Sequence, residues 1–299
     1  MTSSWLSVAL ALVSAFLFAC ASVAQQSAAS SVPEGGSLIS ALIRSPRWWI
    51  GVLGDGGGYV VQIAALWVGS VLVVQPVLVT ALLFALPMSA KLAGRTLPAS
   101  TWALAALMAT ALAVFIVVGD PSEGRTDAPF TQWLIPLAVA AVVIGGAAVS
   151  GLLLSSPGVR ALLLGAAGGL LFGLAAALTK YVTDLVDGDP LGALTAWQTY
   201  ALVGSGVLGF YLQQRAFQAG PLTASMPAVT IGEPLGAAFI GLTVLSERIR
   251  AEGAALAVIV VAVAVMLVTT ILLSRTQASS DVERETADGA SIPSTAPDR

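Results

Sequence analysis

The sequence predicts an all-α polytopic membrane protein with about nine transmembrane helices, set out as two inverted four-helix repeats plus a linker helix. Three observations lead there. The chain of 299 residues is 57% hydrophobic and 10% charged, with a mean hydropathy of +0.91; a water-facing surface needs far more charge. Its apolar residues come in runs long enough for helices of about 20 residues, the length that crosses a hydrocarbon core of about 30 Å. A transmembrane barrel would instead alternate apolar and polar residues. Finally, residues 59–76, YVVQIAALWVGSVLVVQP, return 151 positions later as FYLQQRAFQAGPLTASMP. Gln62 falls on Gln213, Ala65 on Ala216, Gly69 on Gly220 and Pro76 on Pro227 without a gap. Such self-similarity marks an internally duplicated membrane protein.

The first repeat, residues 1–118, holds four spans. Residues 5–24 read as a span and not a signal peptide, because MTSS carries no basic residue and Phe18 is bulky beside any cleavage site. A polar connection, 25–47, follows, with 38–44 as a short interfacial helix. Span two runs from Trp48-Trp49 to about Val68, and span three covers about 70–90. The short link Gly69-Ser70 makes these two an antiparallel hairpin. Span four covers about 101–118.

Residues 119–160 hold the turn-rich DPSEGRTDAP and a linker helix, span five, at 133–154. The second repeat, 161–273, begins with a glycine-rich span six at about 161–178, followed by an acidic loop with Asp184, Asp187 and Asp189. Spans seven and eight lie near 194–212 and 222–245; the charged turn SERIRAE leads to span nine, about 253–273. Residues 274–299 are polar and lack aromatics, and read as a disordered cytoplasmic tail. Trp5, Trp48, Trp49, Trp102, Trp133 and Trp197 sit at or near span ends, where interface anchors belong.

The offset maps span two onto seven and span three onto eight. Five spans separate each pair, an odd number, so the second copy enters the membrane upside down. Span one also matches span six: SAFLFACASVAQQ against GGLLFGLAAALTK, with Phe18 over Phe172 and Ala21 over Ala175. Prolines 76, 87, 227 and 234 lie inside spans, where each removes a backbone donor and frees a carbonyl. Gly69, Pro76, Gly220, Pro227 and Pro234 are the candidate hinges and kinks; the alternative is a purely structural bend.

Polar residues inside spans are few. A charge at the bilayer centre costs about 3 kcal/mol on insertion scales and should face protein or water. Asp55, in Gly54-Asp55-Gly56-Gly57-Gly58, and Glu233, in Gly232-Glu233-Pro234, are the candidate ion or proton sites, and the candidate metal ligands. The competing role for Glu233 is a hydrogen-bonded packing carboxyl. Gln62, Gln75, Gln198, Gln213 and Tyr200 offer neutral donors and acceptors, either to a solute or between helices. Lys180, Asp184, Asp187 and Asp189 read as a solvated mouth.

Other classes find no support. There is no histidine, which removes the commonest general base and metal ligand. Cys20 is the only cysteine, so no disulfide forms within the chain. No basic patch points to nucleic acid. GDGGG and GAAGG lie in apolar spans and read as packing elements, not phosphate loops. The chain reads as a non-enzyme with no cofactor.

Residues 215–249, RAFQAGPLTASMPAVTIGEPLGAAFIGLTVLSERI, resemble the drug/metabolite transporter superfamily, the EamA-like proteins. The shared text is an Ala-Phe pair, a small-Pro turn, a Pro in the next helix, a Glu-Pro step and a final Leu-x-Glu-Arg. The first half is similar to the NIPA-type magnesium transporters, at Trp48-Trp49, Gly51, Gly58, the amide Gln62 and Val74-Gln75-Pro76. That branch carries a Glu where Tyr59 stands and an Asn where Gln62 stands. Asp55, about one turn earlier, either keeps the carboxylate on the same face or marks a different solute.

The resemblance implies a secondary transporter working by alternating access, with Mg2+ or another small solute as cargo. An exporter of an organic metabolite or drug, driven by protons or exchange, is the alternative; a non-transporting membrane scaffold is a third reading. The expected partners are the ion or small-molecule substrate and the lipid bilayer, with a homodimer among the permitted assemblies. Basic residues are more frequent on the side opposite the N-terminus, which favours a plasma-membrane protein with its N-terminus outside and C-terminus cytoplasmic.

Overall fold

In lipid a backbone N–H or C=O has no water to bond, so an apolar run satisfies its own groups by coiling into a helix. The computed structural model follows this rule. It describes residues 2–29, 44–92, 94, 96–122, 124, 128–220 and 222–290. The helices are α1 (Thr2–Ala29), α2 (Pro46–Val68), α3 (Val71–Leu78), α4 (Ala81–Leu92), α5 (Ala99–Gly119) and α6 (Phe130–Leu153). They continue with α7 (Pro157–Gly188), α8 (Pro190–Thr195), α9 (Trp197–Ala219), α10 (Leu222–Thr243) and α11 (Ala254–Ala290). Among the described residues, eight segments are long and apolar enough to cross a membrane, α3 and α4 counting as one. The chain is therefore an integral, all-α membrane protein. The helix expected as span seven is present as α9, 23 residues long. It is not among the eight, because it carries Gln198, Thr199, Gln213, Gln214 and Arg215.

Several boundaries differ from expectation. The third span is broken after Pro76: α3 ends at Leu78, and the Thr80 hydroxyl bonds back to the Val77 carbonyl at 2.6 Å. By contrast α10 runs unbroken through Pro227 and Pro234. The glycine run around Asp55 is a packing element, as expected: α2 is continuous from Pro46 to Val68, with Gly54 and Gly58 close against α1. The acidic loop is not a loop at its start. Asp184 and Asp187 lie on the last turns of α7, which is 32 residues long, because Lys180 pairs with Asp184 one turn on. That helix also begins at Pro157, within the residues expected to belong to the linker. The helix of span nine continues past residue 273 to Ala290. Arg, Gln, Ala and Glu are good helix formers, and extending an existing helix avoids a new nucleus. The expected helix at 38–44 lies almost wholly outside the described residues.

Packing is organised around α1 and α7. The first lies against α2, α3 and α4; the second lies against α9, α10 and α6. Small residues permit the close approach. A Cβ at Gly58 would lie 2.8 Å from Phe18 Cδ1, and one at Gly209 would lie 3.2 Å from Phe172 Cδ1. A Cβ at Gly69 would overlap Ser7, and one at Gly220 would lie 3.1 Å from the Ala161 Cβ. The glycines of the two sets are 151 residues apart and their partners 154 apart. The halves meet where α3 packs on α10, α2 on α7 and α5 on α11, around a core that includes Val74, Val77, Ala177, Ala237 and Ile240.

Trp133 is not an interface anchor. It is fully buried, edge-to-face against Tyr181 at 5.4 Å and Trp197 at 5.2 Å between ring centroids. Aromatic burial of this kind docks the linker helix α6 onto the ends of α7 and α9. Trp5, Trp49 and Trp102 are exposed, as anchors are.

Candidate functional site

The predicted polar residues lie on α2 and α3 of the first half and on α9 and α10 of the second. Gly54 and Gly58 turn one side of α2 against α1, where the Ser14 hydroxyl donates to the Gly58 carbonyl at 2.8 Å. Asp55, Tyr59, Gln62 and Leu66 share the neighbouring stripe of α2. Asp55 is half-buried and Gln62 buried. Tyr59 and Thr179 of α7 lie 3.1 Å apart between hydroxyl oxygens. The Thr179 hydroxyl donates its proton to the Ala175 carbonyl, so Tyr59 is the donor. Tyr59 thus bonds α2 to α7.

Glu233 is half-buried on α10. Its backbone lies against Gly173 of α7, and it shares a helix face with Ala237 and Ile240, both buried. Asp55 and Glu233 therefore both sit on helices packed against α7. Among the described residues, no group of three or more acidic, Cys or His side chains gathers as a metal site. Gln75 is 2% exposed on α3, and its Nε2 has no partner among the described residues. Gln198 is buried and Gln213 half-buried on α9. Tyr200 points outward, 66% exposed, and donates to the Leu194 carbonyl at 3.0 Å. Pro227 is buried on α10; Pro76 and Pro234 are half-buried.

A groove of about 600 Å3 runs between α7, α10 and α11, lined by Leu162, Leu170, Pro227, Ile231 and Gly232, with Arg275 at its edge. Leu162 and Leu235 on its walls are exposed. Of the predicted residues, Pro227 lines this groove.

The densest polar chemistry is elsewhere, at the break between α2 and α3. Gly69 is extended, at φ −151° and ψ 172°, so α2 stops with unpaired carbonyls and α3 starts with unpaired N–H groups. The Glu247 carboxylate accepts from the Val71 amide at 2.7 Å and the Leu72 amide at 2.9 Å. Ser70 caps the next donor, Val73, at 3.2 Å. Glu247 is 1% exposed. A left-handed Ser246, φ 56°, turns it inward, and its own N–H donates to the Gly241 carbonyl at 3.0 Å. On the other side of the break, Lys180 reaches the Trp67 carbonyl at 3.5 Å and Asp184 at 3.1 Å.

Lys180 is thus not part of a solvated mouth: it is 5% exposed, because α7 carries it beneath the end of α2. A cation at a helix C-terminus and an anion at a helix N-terminus each complement the local dipole. The same face is tied by Ser122, whose amide donates to the Arg248 carbonyl at 2.8 Å, and by the Arg250 amide, which donates to the Gly119 carbonyl at 3.0 Å. Contacts of Ser7 with Gly69 and of Lys180 with Trp67 put the start of α1 and the end of α7 on this one face. We call it the N-terminal face.

No family model matches the chain, and no solved structure matches it. The chain is 37% identical over 282 residues to the uncharacterized protein Cgl0250/cg0304 of Corynebacterium glutamicum, covering 92% of this chain and 97% of that one. It belongs to the family of that protein.

Proposed function

We propose that this member of the family is a secondary membrane transporter working by alternating access, built from two inverted repeats of the drug/metabolite, EamA-like kind. The observation that carries the reading is the recurrence of the packing. Gly58 on Phe18 and Gly209 on Phe172, with Gly69 on Ser7 and Gly220 on Ala161, support a duplicated fold. The shared face of the α1 start and the α7 end supports opposite insertion of the two copies. Copies related in this way can exchange conformations, closing one face as the other opens.

The cargo in this reading is a divalent cation such as Mg2+ or another small solute, held by Asp55 and Glu233 with the glutamines as neutral contacts. The buried amides favour a second cargo, a small organic metabolite or drug that is exported. Gln62, Gln75 and Gln198 are buried, and the Gln75 Nε2 lacks a described partner. An unpaired buried donor is costly and is relieved by a ligand that accepts from it. The sequence count of basic residues, with Arg44, Arg47, Lys91, Arg95, Arg160, Arg215, Arg275 and Arg284 assigned to one side and Arg125, Lys180, Arg248 and Arg250 to the other, supports a plasma-membrane protein with the N-terminal face outside.

Purified protein in liposomes, assayed for Mg2+ flux and for a panel of metabolites, tests the proposal. A cation cargo predicts flux abolished in Asp55→Asn combined with Glu233→Gln. An organic cargo predicts flux that survives this pair and falls in Gln75→Leu. Folded protein that moves none of the panel overturns the transport reading and leaves the membrane scaffold.

A further inference from the structure

We propose that Glu247 and Lys180 form a charged latch that holds the N-terminal face shut by gripping both sides of the break between α2 and α3. The proposal rests on the alternating-access reading, for which it names the closed face and the groups that must part. Both charges come from the second half and grip the first, across 176 and 113 residues of sequence. Both are almost wholly buried. The anion meets the N–H end of α3 and the cation meets the carbonyl end of α2.

Three features suit the contact to opening as well as closing. First, every group in it is a strong hydrogen-bonding group: a carboxylate, an ammonium, amides and a carbonyl. If the halves part and water enters, each keeps a partner, whereas buried apolar surface gains nothing from wetting. Second, α3 is a short unit, interrupted at Gly69–Ser70 before it and at Val79–Thr80 after it. It can tilt without dragging α2 or α4 through the membrane. Third, the loop that carries Glu247 is pinned at the same face by the Ser122 and Arg250 amide bonds. Withdrawal of that loop therefore releases the latch and the backbone ladder together.

Hydrogen exchange of the full chain in phospholipid nanodiscs tests the latch without any assumed cargo. In Glu247→Gln the amides of 71–73 are expected to exchange roughly tenfold faster, as local opening requires, while those of α6 keep their native rate. Lys180→Met is expected to accelerate the same amides, although it touches none of them. Arg250→Ala, which removes only an exposed pair with Asp120, is expected to leave them unchanged. Unchanged exchange at 71–73 in Glu247→Gln overturns the proposal. So does acceleration spread evenly over all helices, which would make Glu247 a general stabiliser. A latch that opens in a protein that moves no cargo keeps this inference and removes the transport reading; flux with an immobile break does the reverse.

Discussion

The breaks at Gly69 and Gly220 occupy corresponding places in the two halves, yet they are filled in opposite ways. Both glycines are extended, at φ −151° and 178°, and both let the following helix start close against a neighbour. At Gly69 the neighbour is the Ser7 side chain, and the surrounding ends are met by Ser70, Lys180 and Glu247. At Gly220 the neighbours are the backbone carbonyl of Pro157 and the Ala161 methyl. Among the described residues, charged side chains meet the break at Gly69, whereas Gly220 is met by backbone and a methyl group. Under the alternating-access proposal, that difference favours closure at the face that carries Gly69.

The largest expected effect that probes this difference is at Gly220. An added Cβ meets fixed backbone, so Gly220→Ala should cost about 3 kcal/mol or more, read as a loss of thermal stability in detergent. Trimming the neighbouring side chain, Ala161→Gly, should not recover it. Gly69→Ala should cost less, about 2 kcal/mol, and Ser7→Gly in the same chain should recover much of the loss. Equal costs at the two glycines, with no recovery by Ser7→Gly, would remove the distinction between the breaks. Tyr59→Phe comes next. It deletes the bond to Thr179 and should cost about 1 kcal/mol, measured in the same thermal assay. A larger loss would mean that mid-membrane contacts, not the N-terminal face, dominate the join between halves. The smallest effect is expected at Arg250→Ala. Its partner Asp120 lies 3.3 Å away, with the two side chains 64% and 69% exposed, so stability should move by less than about 0.5 kcal/mol.

The long apolar helices were legible in sequence because they rest on local pattern: run length and small residues. Lys180 and Glu247 were not. A charge beside a turn looks solvated unless the distant segment that covers it is known, and here the coverers lie more than a hundred residues away. A signal was present all the same. Glu247 stands in the charged turn Ser246-Glu247-Arg248 directly after an apolar span, where an acid can reach back to a neighbouring helix end. Trp133 escaped for a related reason. Position at a span end does not distinguish a lipid anchor from a residue covered by Tyr181 and Trp197. The stop after Pro76 and the unbroken course through Pro227 show that a proline marks a permitted bend; neighbouring helices decide whether it is taken.

The length of α11 has a mechanical consequence. Its apolar part, Ala254–Thr276, is enough to cross the membrane, yet the helix goes on without a joint to Ala290. At 1.5 Å per residue the extension is a rod of about 20 Å. A flexible tail would absorb a pull or a twist. A continuous helix instead passes torque from its far end to the portion that lies against α5 and α10, so a force applied near Ala290 acts as a crank handle on those two helices.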